Sequence, residues 1–285
     1  MTAPDTAPNA PSPDTADLLT DPAQLRLLGL RLADAARLET MARFRRLSRP
    51  AENKDADGGY DPVTEADKAA ERAIRALLEL ERPMDRILGE EEDGTGGNGA
   101  GTWVIDPIDG TRAYVAGLPT WGTLIAYDDG ARGILGVVDH PATGERFIGV
   151  AGHGAPAEAE MHQHGDRWPI RVRSTQRLSE AILMSTAEDL FTAEETPGFR
   201  RVRDTVQLTR YGGDCYAYAM LAAGFIDVVI ESGLQAYDIA APKALIEAAG
   251  GVVTDWEGGD CRWGGRVVAA CTPALAEEAR RLLAG

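Results

Sequence analysis

The chain has 285 residues, 44% hydrophobic and 26% charged, the makeup of a globular protein with one large domain or two smaller ones sharing a core. Its 45 acidic residues outnumber 29 basic ones, giving a net charge of −16. Such a surface repels nucleic acid and anionic membranes, and it admits an anionic substrate only where the site supplies cations. No apolar run approaches the ~20 residues of a membrane span, and the start lacks the basic and apolar segments of a signal peptide. Cys215, Cys261 and Cys271, an odd number without metal-ligand spacing, fit a reducing cytoplasm.

In chain order, residues 1–20 are rich in Pro, Ala, Asp and Thr, cannot build a core, and are expected to form a disordered tail. "LRLLGLRLADAARLETMARF", residues 25–44, has helical periodicity. A second helix is expected in "TEADKAAERAIRALLEL", with Thr64 as its N-cap and Asp67 completing a capping box. "RILGEEED" reads as a short strand entering a loop. "GTGGNGAG" is a flexible connection without a phosphate-loop lysine. "TWVID", "WGTLIAY", "GILGVVD" and "ERFIGVA" are turn-separated strands and suggest an antiparallel meander. In the second half the apolar runs "AILMST", "FIDVVIE" and "GGVVTD" alternate with helical segments, which suggests strands covered by helices on both faces. The expected organisation is therefore a tail over residues 1–20, an α+β half over 21–160 and an α/β half over 161–285. His140, His153, His162 and His164 read as one solvated, loop-rich region, and no Ser/His/Asp nucleophile motif is present.

The chemistry concentrates in "WVIDPIDGTR", residues 103–112. Pro107 fixes its own φ and holds Asp106 extended, and a turn after it can bring the carboxylates of Asp106 and Asp109 to one side. The Ile108 carbonyl supplies a third oxygen. Two adjacent carboxylates repel one another unless a cation joins them, and this oxygen set suits a hard divalent ion such as Mg²⁺. A helix starting at Gly110 and Thr111 offers N–H groups to a phosphate. Glu90, Asp67 and Asp238 are further acidic candidates, although Asp238 before a helix also fits an N-cap.

"WVIDPIDGTRAY" resembles the first signature of the inositol monophosphatase family of Mg²⁺-dependent phosphatases, and "YDIAAPKALIEAAGG" resembles its second. "GEE" at 89–91 and "PVTEAD" at 62–67 lie at the matching upstream points. The resemblance implies alternating α-β-α-β-α layers, with an antiparallel N-terminal sheet, a smaller C-terminal sheet covered by helices, and a homodimer. It implies two or three Mg²⁺ ions held by Glu90, Asp106, the Ile108 carbonyl, Asp109 and Asp238. It further implies that Asp67 orients Thr111, that both act with Glu90 in catalysis by activating the attacking water, and that the Gly110 and Thr111 N–H groups bind phosphate. Tyr237 stands where a Trp more often precedes the last aspartate. Lys54, in an upstream loop, lies where it can approach the phosphate.

Family members act on inositol phosphates, fructose bisphosphate, phosphoadenosine phosphate or histidinol phosphate. Counting back from Asp238, Glu231 falls where members contact the alcohol half, and Asp214 falls where inositol-preferring members carry a small apolar residue. An extra carboxylate suits the ammonium and imidazole of histidinol phosphate. The whole stretch resembles the histidinol-phosphate phosphatase branch and implies a place in histidine biosynthesis. Inositol-1-monophosphatase, or a broad sugar-phosphate phosphatase, is the alternative within the class. A binding or regulatory protein with a vestigial site is the alternative outside it. Asp214 also fits a plain helix cap.

Overall fold

Leu25, Leu28, Leu32 and Ala36 recur at helical spacing and bury one face of α1 (Pro22–Arg43), whose N-terminus is fixed by Pro22 and by Asp21 accepting the Ala23 N–H. A computed structural model describes residues 21–46, 52–53, 62–97, 101–151 and 156–285. The expected tail, Lys54 and His153 lie outside them. Among the described residues no helix is long and apolar enough to cross a membrane. β1 (Glu52–Asn53) and β2 (Pro62–Val63) pair antiparallel just before α2 (Glu65–Glu81). Thr64 and Asp67 form the anticipated capping box at the start of α2.

α1 and α2 cover one face of a seven-stranded sheet. Its strands are β3 (Arg86–Gly89), β4 (Thr102–Asp109), β5 (Gly122–Asp128), β6 (Gly133–His140), β7 (Glu145–Val150), β8 (Glu158–Gln163) and β9 (Asp166–Pro169), paired in that order. All the pairs are antiparallel except β3–β4, so the expected meander is present, with β3 added in parallel. A short helix, α3 (Thr111–Val115), separates β4 from β5. The sheet continues to Pro169, so the division at residues 160/161 falls inside β8.

The second sheet has five strands in the order β11-β10-β12-β14-β13. They are β10 (Ile182–Ser185), β11 (Leu208–Tyr211), β12 (Val228–Gln235), β13 (Val252–Thr254) and β14 (Gly264–Ala270). α5 (Cys215–Ala222) and α6 (Ala236–Ala248) fill the space between the sheets, while α4 (Thr196–Arg203) and α7 (Pro273–Ala284) cover the outer face. The layers run α-β-α-β-α, as the resemblance implies.

α6 is apolar nearly all round because both of its sides meet a sheet. Gly136 and Gly149, cross-strand partners on β6 and β7, let it approach closely. A Cβ on Gly136 would stand 2.2 Å from the Ala241 carbonyl oxygen, and one on Gly149 would stand 2.5 Å from the Leu245 Cα. The obstacle in each case is helix backbone, which cannot rotate away as a side chain can.

The histidines depart from expectation. His140 is not on a loop: it ends β6, is fully buried, and its Nδ1 lies 3.0 Å from the Trp121 carbonyl. His162 belongs to β8 and pairs with Glu160 at 2.6 Å, and His164 adopts a positive φ of 54° in the turn before β9. The apolar runs around them hid this, because a single polar residue does not break a buried strand.

Gly136→Ala or Gly149→Ala is predicted to push α6 off the sheet and destabilise the protein by about 1–3 kcal/mol. Chemical denaturation measures that loss; a divalent-cation titration should show weaker binding in parallel, since α6 carries Asp238.

Candidate active site

Strand geometry alone would place residues i and i+3 on opposite faces. β4 escapes this through a bulge. Asp106 pairs with Leu124 and Asp109 with Gly122, so three steps along β4 match two along β5. Pro107, which has no N–H to give to a ladder, sits in the bulge, and the Thr123 hydroxyl donates to its carbonyl at 2.8 Å. The device is thus a bulge within a strand, where a turn was expected. Its outcome is the anticipated one: both carboxylates reach the same side.

Asp238, in the first turn of α6, joins them. One oxygen of each of Asp106, Asp109 and Asp238 lies within 4.8 Å of the others. Asp238 also accepts the Gln235 N–H at 2.6 Å, so its capping role is present alongside its place in the cluster. Asp109 accepts the Cys215 N–H at 2.7 Å, which ties the end of β4 to the first residue of α5. Glu90, just after β3, hydrogen-bonds Asp106 and completes the acidic wall. Ile108 is buried with its carbonyl accepting the Thr111 hydroxyl at 3.0 Å.

Burial raises the Asp106 carboxyl well above its ordinary range, and the charges of Glu90, Asp109 and Asp238 push it further. Asp109 is raised by burial, then by Asp238 and Asp214, against the opposing hydrogen bond from Cys215. Asp106 Oδ1 is buried without a partner. An orphaned carboxylate oxygen, a repelling cluster and a neighbouring carbonyl form an all-oxygen donor set that fits a hard divalent cation.

Asp67 is fully buried and its carboxyl is pushed up to about 6, chiefly by burial. Its expected contact with Thr111 is not made. Thr64 occupies Asp67 Oδ2 through its backbone N–H at 2.9 Å and its hydroxyl, Oδ1 has no partner, and Thr111 donates to Ile108 instead. The capping box holds Asp67 to its own helix. Gly110, in left-handed conformation at φ 81°, turns the chain into α3, whose first N–H groups lack intrahelical acceptors.

Asp214 precedes α5 without making a side-chain cap. It has φ 44° and ψ −139°, an unusual conformation for a residue with a side chain. That side chain packs on the glycine turn: a Cβ on Gly110 would stand 3.1 Å from Asp214 Oδ2. Burial raises its carboxyl and the Arg112 guanidinium lowers it. Glu231, on β12, is 2% exposed and accepts the Thr186 N–H at 2.7 Å. Burial pushes it up to about 8, with Asp214 and Asp238 adding to the shift.

Three residues at the site escaped the sequence reading. Arg112 is a cation beside Asp214, answering the need for positive charge, and its only signal was its place in the motif. Cys215 acts through a backbone N–H, which no side-chain pattern reports. Tyr218 is an ordinary core aromatic by periodicity. The three cysteines are buried free thiols.

With this geometry in place, comparison with known proteins is informative. The model of the inositol monophosphatase family matches residues 22–284. The chain is 40% identical over 238 residues to the chloroplastic bifunctional phosphatase IMPL2 of Arabidopsis thaliana, covering 83% of this chain. It spans 65% of that relative, less than two thirds of its length. It is 38% identical over 232 residues to a histidinol-phosphatase of Streptomyces coelicolor, covering 80% and 85% of the two chains. Among solved structures, an inositol monophosphatase from Zymomonas mobilis superposes with a TM-score of 0.76 at 38% identity, covering 90% of this chain and 96% of that one.

A carboxyl whose folded pKa is raised folds better protonated. Its contribution is complete below the unfolded value and is lost as pH rises toward the folded value. Glu231 places that window from about 4.5 to about 8, and Asp106 and Asp109 shift in the same direction. The melting temperature of the chelated protein is therefore predicted to fall relative to the Mg²⁺-saturated protein as pH rises through this range. Asp109→Asn should raise the chelated melting temperature near the top of the range and shrink the gain on adding Mg²⁺. An unchanged gain would remove the cluster as a cation site.

Proposed function

The chain belongs to the inositol monophosphatase family, a family of phosphatases, and from that premise we propose that it is a Mg²⁺-dependent histidinol-phosphate phosphatase. In this reading it releases phosphate from L-histidinol phosphate during histidine biosynthesis, as a cytoplasmic homodimer. The observation that carries the substrate choice is Asp214. Its carboxylate is not spent on capping α5, and it lies on the Gly110 turn with Glu231 among its charged neighbours.

Asp106, Asp109, Asp238, Glu90 and the Ile108 carbonyl would hold two or three Mg²⁺ ions. Bound there, the metal supplies Lewis-acid chemistry, acidifying the attacking water and offsetting the phosphoryl charge. The chain's own residues do the rest. The Gly110 and Thr111 N–H groups receive phosphate oxygens and orient the ester for in-line displacement. Asp67, held near neutral and buried, and the Thr111 hydroxyl beside the Ile108 carbonyl are positioned to order the water's proton. At the alcohol end, Asp214 and Glu231 accept charge-assisted hydrogen bonds from the ammonium and imidazolium. The Arg112 guanidinium opposes the rise that burial imposes on the Asp214 carboxyl and so favours its charged form.

A cationic alcohol half favours the charged forms of Asp214 and Glu231, whose carboxyls burial raises, whereas a neutral polyol phosphate gains no such pairing, which disfavours inositol phosphate as the main substrate. Asp214→Ala is predicted to lower kcat/KM for histidinol phosphate by about 10–100-fold, 1.4–2.7 kcal/mol, and that for β-glycerophosphate far less. Steady-state phosphate release on the two esters measures this; equal losses would make Asp214 a structural residue only.

A further inference from the structure

α2 buries two stripes. Ala66, Ala70, Ile74 and Leu78 form an apolar one, and beside it Asp67, Glu71 and Arg75 recur at four-residue steps. Asp67 belongs to the capping box. Glu71 and Arg75 lie one and two turns further along, outside it.

A fully buried carboxylate is costly unless it is both paired and hydrogen-bonded. Glu71 meets both conditions, and its backbone partners lie in the loop that carries Glu90. Its Oε1 accepts the Arg75 Nε–H at 2.8 Å and the Glu92 N–H at 3.2 Å, and its Oε2 accepts the Glu91 N–H at 2.8 Å. Arg75 reaches the same loop, donating from Nη2 to the Glu92 carbonyl at 2.9 Å. The end of β3 lies directly against this pair: a Cβ on Gly89 would stand 2.0 Å from Glu71 Oε1 and 2.8 Å from Arg75 Nη2. Reciprocal backbone bonds between Ile87 and Thr95, at 3.1 and 3.0 Å, close the base of the loop. Glu90 is thus flanked by Gly89, seated on the Glu71 carboxylate, and by two N–H groups bonded to that carboxylate.

We infer that Glu71, neutralised by Arg75, is a positioning residue for the cation cluster: it clamps the Gly89–Glu92 backbone and so fixes the Glu90 carboxylate against Asp106. The inference rests on Glu90 holding a cation, as proposed above, and not on the choice of substrate. Glu90 and Asp106 repel one another when both are charged, and an untethered loop would let Glu90 swing away. A loop held through its backbone keeps that carboxylate in place, so an arriving cation meets a formed site.

Calorimetric titration of the chelated protein with Mg²⁺ reads the effect without turnover. Glu71→Gln keeps the side-chain shape but sets an NH₂ group against a donor. Gly89→Ala keeps the charge but drives a methyl group into the carboxylate. Each is expected to raise the apparent Kd for Mg²⁺ about tenfold, the scale of losing an outer-shell partner. Glu71→Gln with Glu90→Gln should bind Mg²⁺ no more weakly than Glu90→Gln alone. Removing a nearby negative charge weakens any cation site, but that effect persists without Glu90, so multiplicative losses in the double variant would overturn the inference. Wild-type affinity in folded Glu71→Gln would overturn it too. If Glu90→Gln weakens Mg²⁺ binding and Glu71→Gln does not, the inference alone falls. If Glu90→Gln binds Mg²⁺ as the wild type does, the reading of Glu90 as a ligand falls and the inference falls with it. Circular dichroism of the chelated variants checks folding at the titration temperature. Should Glu71→Gln be unfolded there, Gly89→Ala, alone and with Glu90→Gln, decides by the same criteria.

Discussion

Three carboxylates that repel one another are brought together where water cannot screen them well. Asp106 and Asp109 come from one strand and Asp238 from a helix far along the chain, and their oxygens converge within 4.8 Å. At such separations a fully charged pair costs of order 4 kcal/mol at an effective dielectric of about 20. Against a typical net stability of ~5–15 kcal/mol, that is a large sum to hold in place. The rest of the molecule can be read as what it takes to impose this arrangement: a proline-containing bulge in β4, a helix fixed between two sheets, and backbone N–H groups from Cys215 and Gln235 bonded to two of the three carboxylates.

The placement of α6 links packing to chemistry. Its first turn presents Asp238, and its body is seated on the glycines of β6 and β7. α5, beside it, contributes the Cys215 N–H, Asp214 and Tyr218 from its start and first turns. The central helical layer therefore carries Asp238 and the start of α5 that follows Asp214, while β12 brings Glu231 from the second sheet. Arg112, beside Asp214, sets a positive charge against the acidic surroundings there.

Much of this was legible in the sequence, and the exceptions have physical causes. Periodicity located α1, α2 and the meander, and Thr64 with Asp67 marked the start of α2, because each of these signals is local. The spacing of Asp106 and Asp109 around Pro107 announced a shared site, although whether a turn or a bulge produced it depended on the pairing with β5, which is non-local. His140 was misplaced to a loop because its burial follows from neighbouring strands. The Asp67–Thr111 contact expected from family resemblance is absent because the capping box engages Asp67 first. The buried Tyr218 hydroxyl without a partner is a feature that no local sequence pattern reports.

One comparison tests substrate choice most directly: kcat/KM for Mg²⁺-dependent phosphate release from L-histidinol phosphate and myo-inositol 1-phosphate, measured in parallel on the wild-type protein. The account predicts a preference for histidinol phosphate of about 100-fold, equivalent to ~2.7 kcal/mol of transition-state discrimination. Equal rates, or a preference for the inositol ester, would contradict it and leave Asp214 and Glu231 without the role assigned to them.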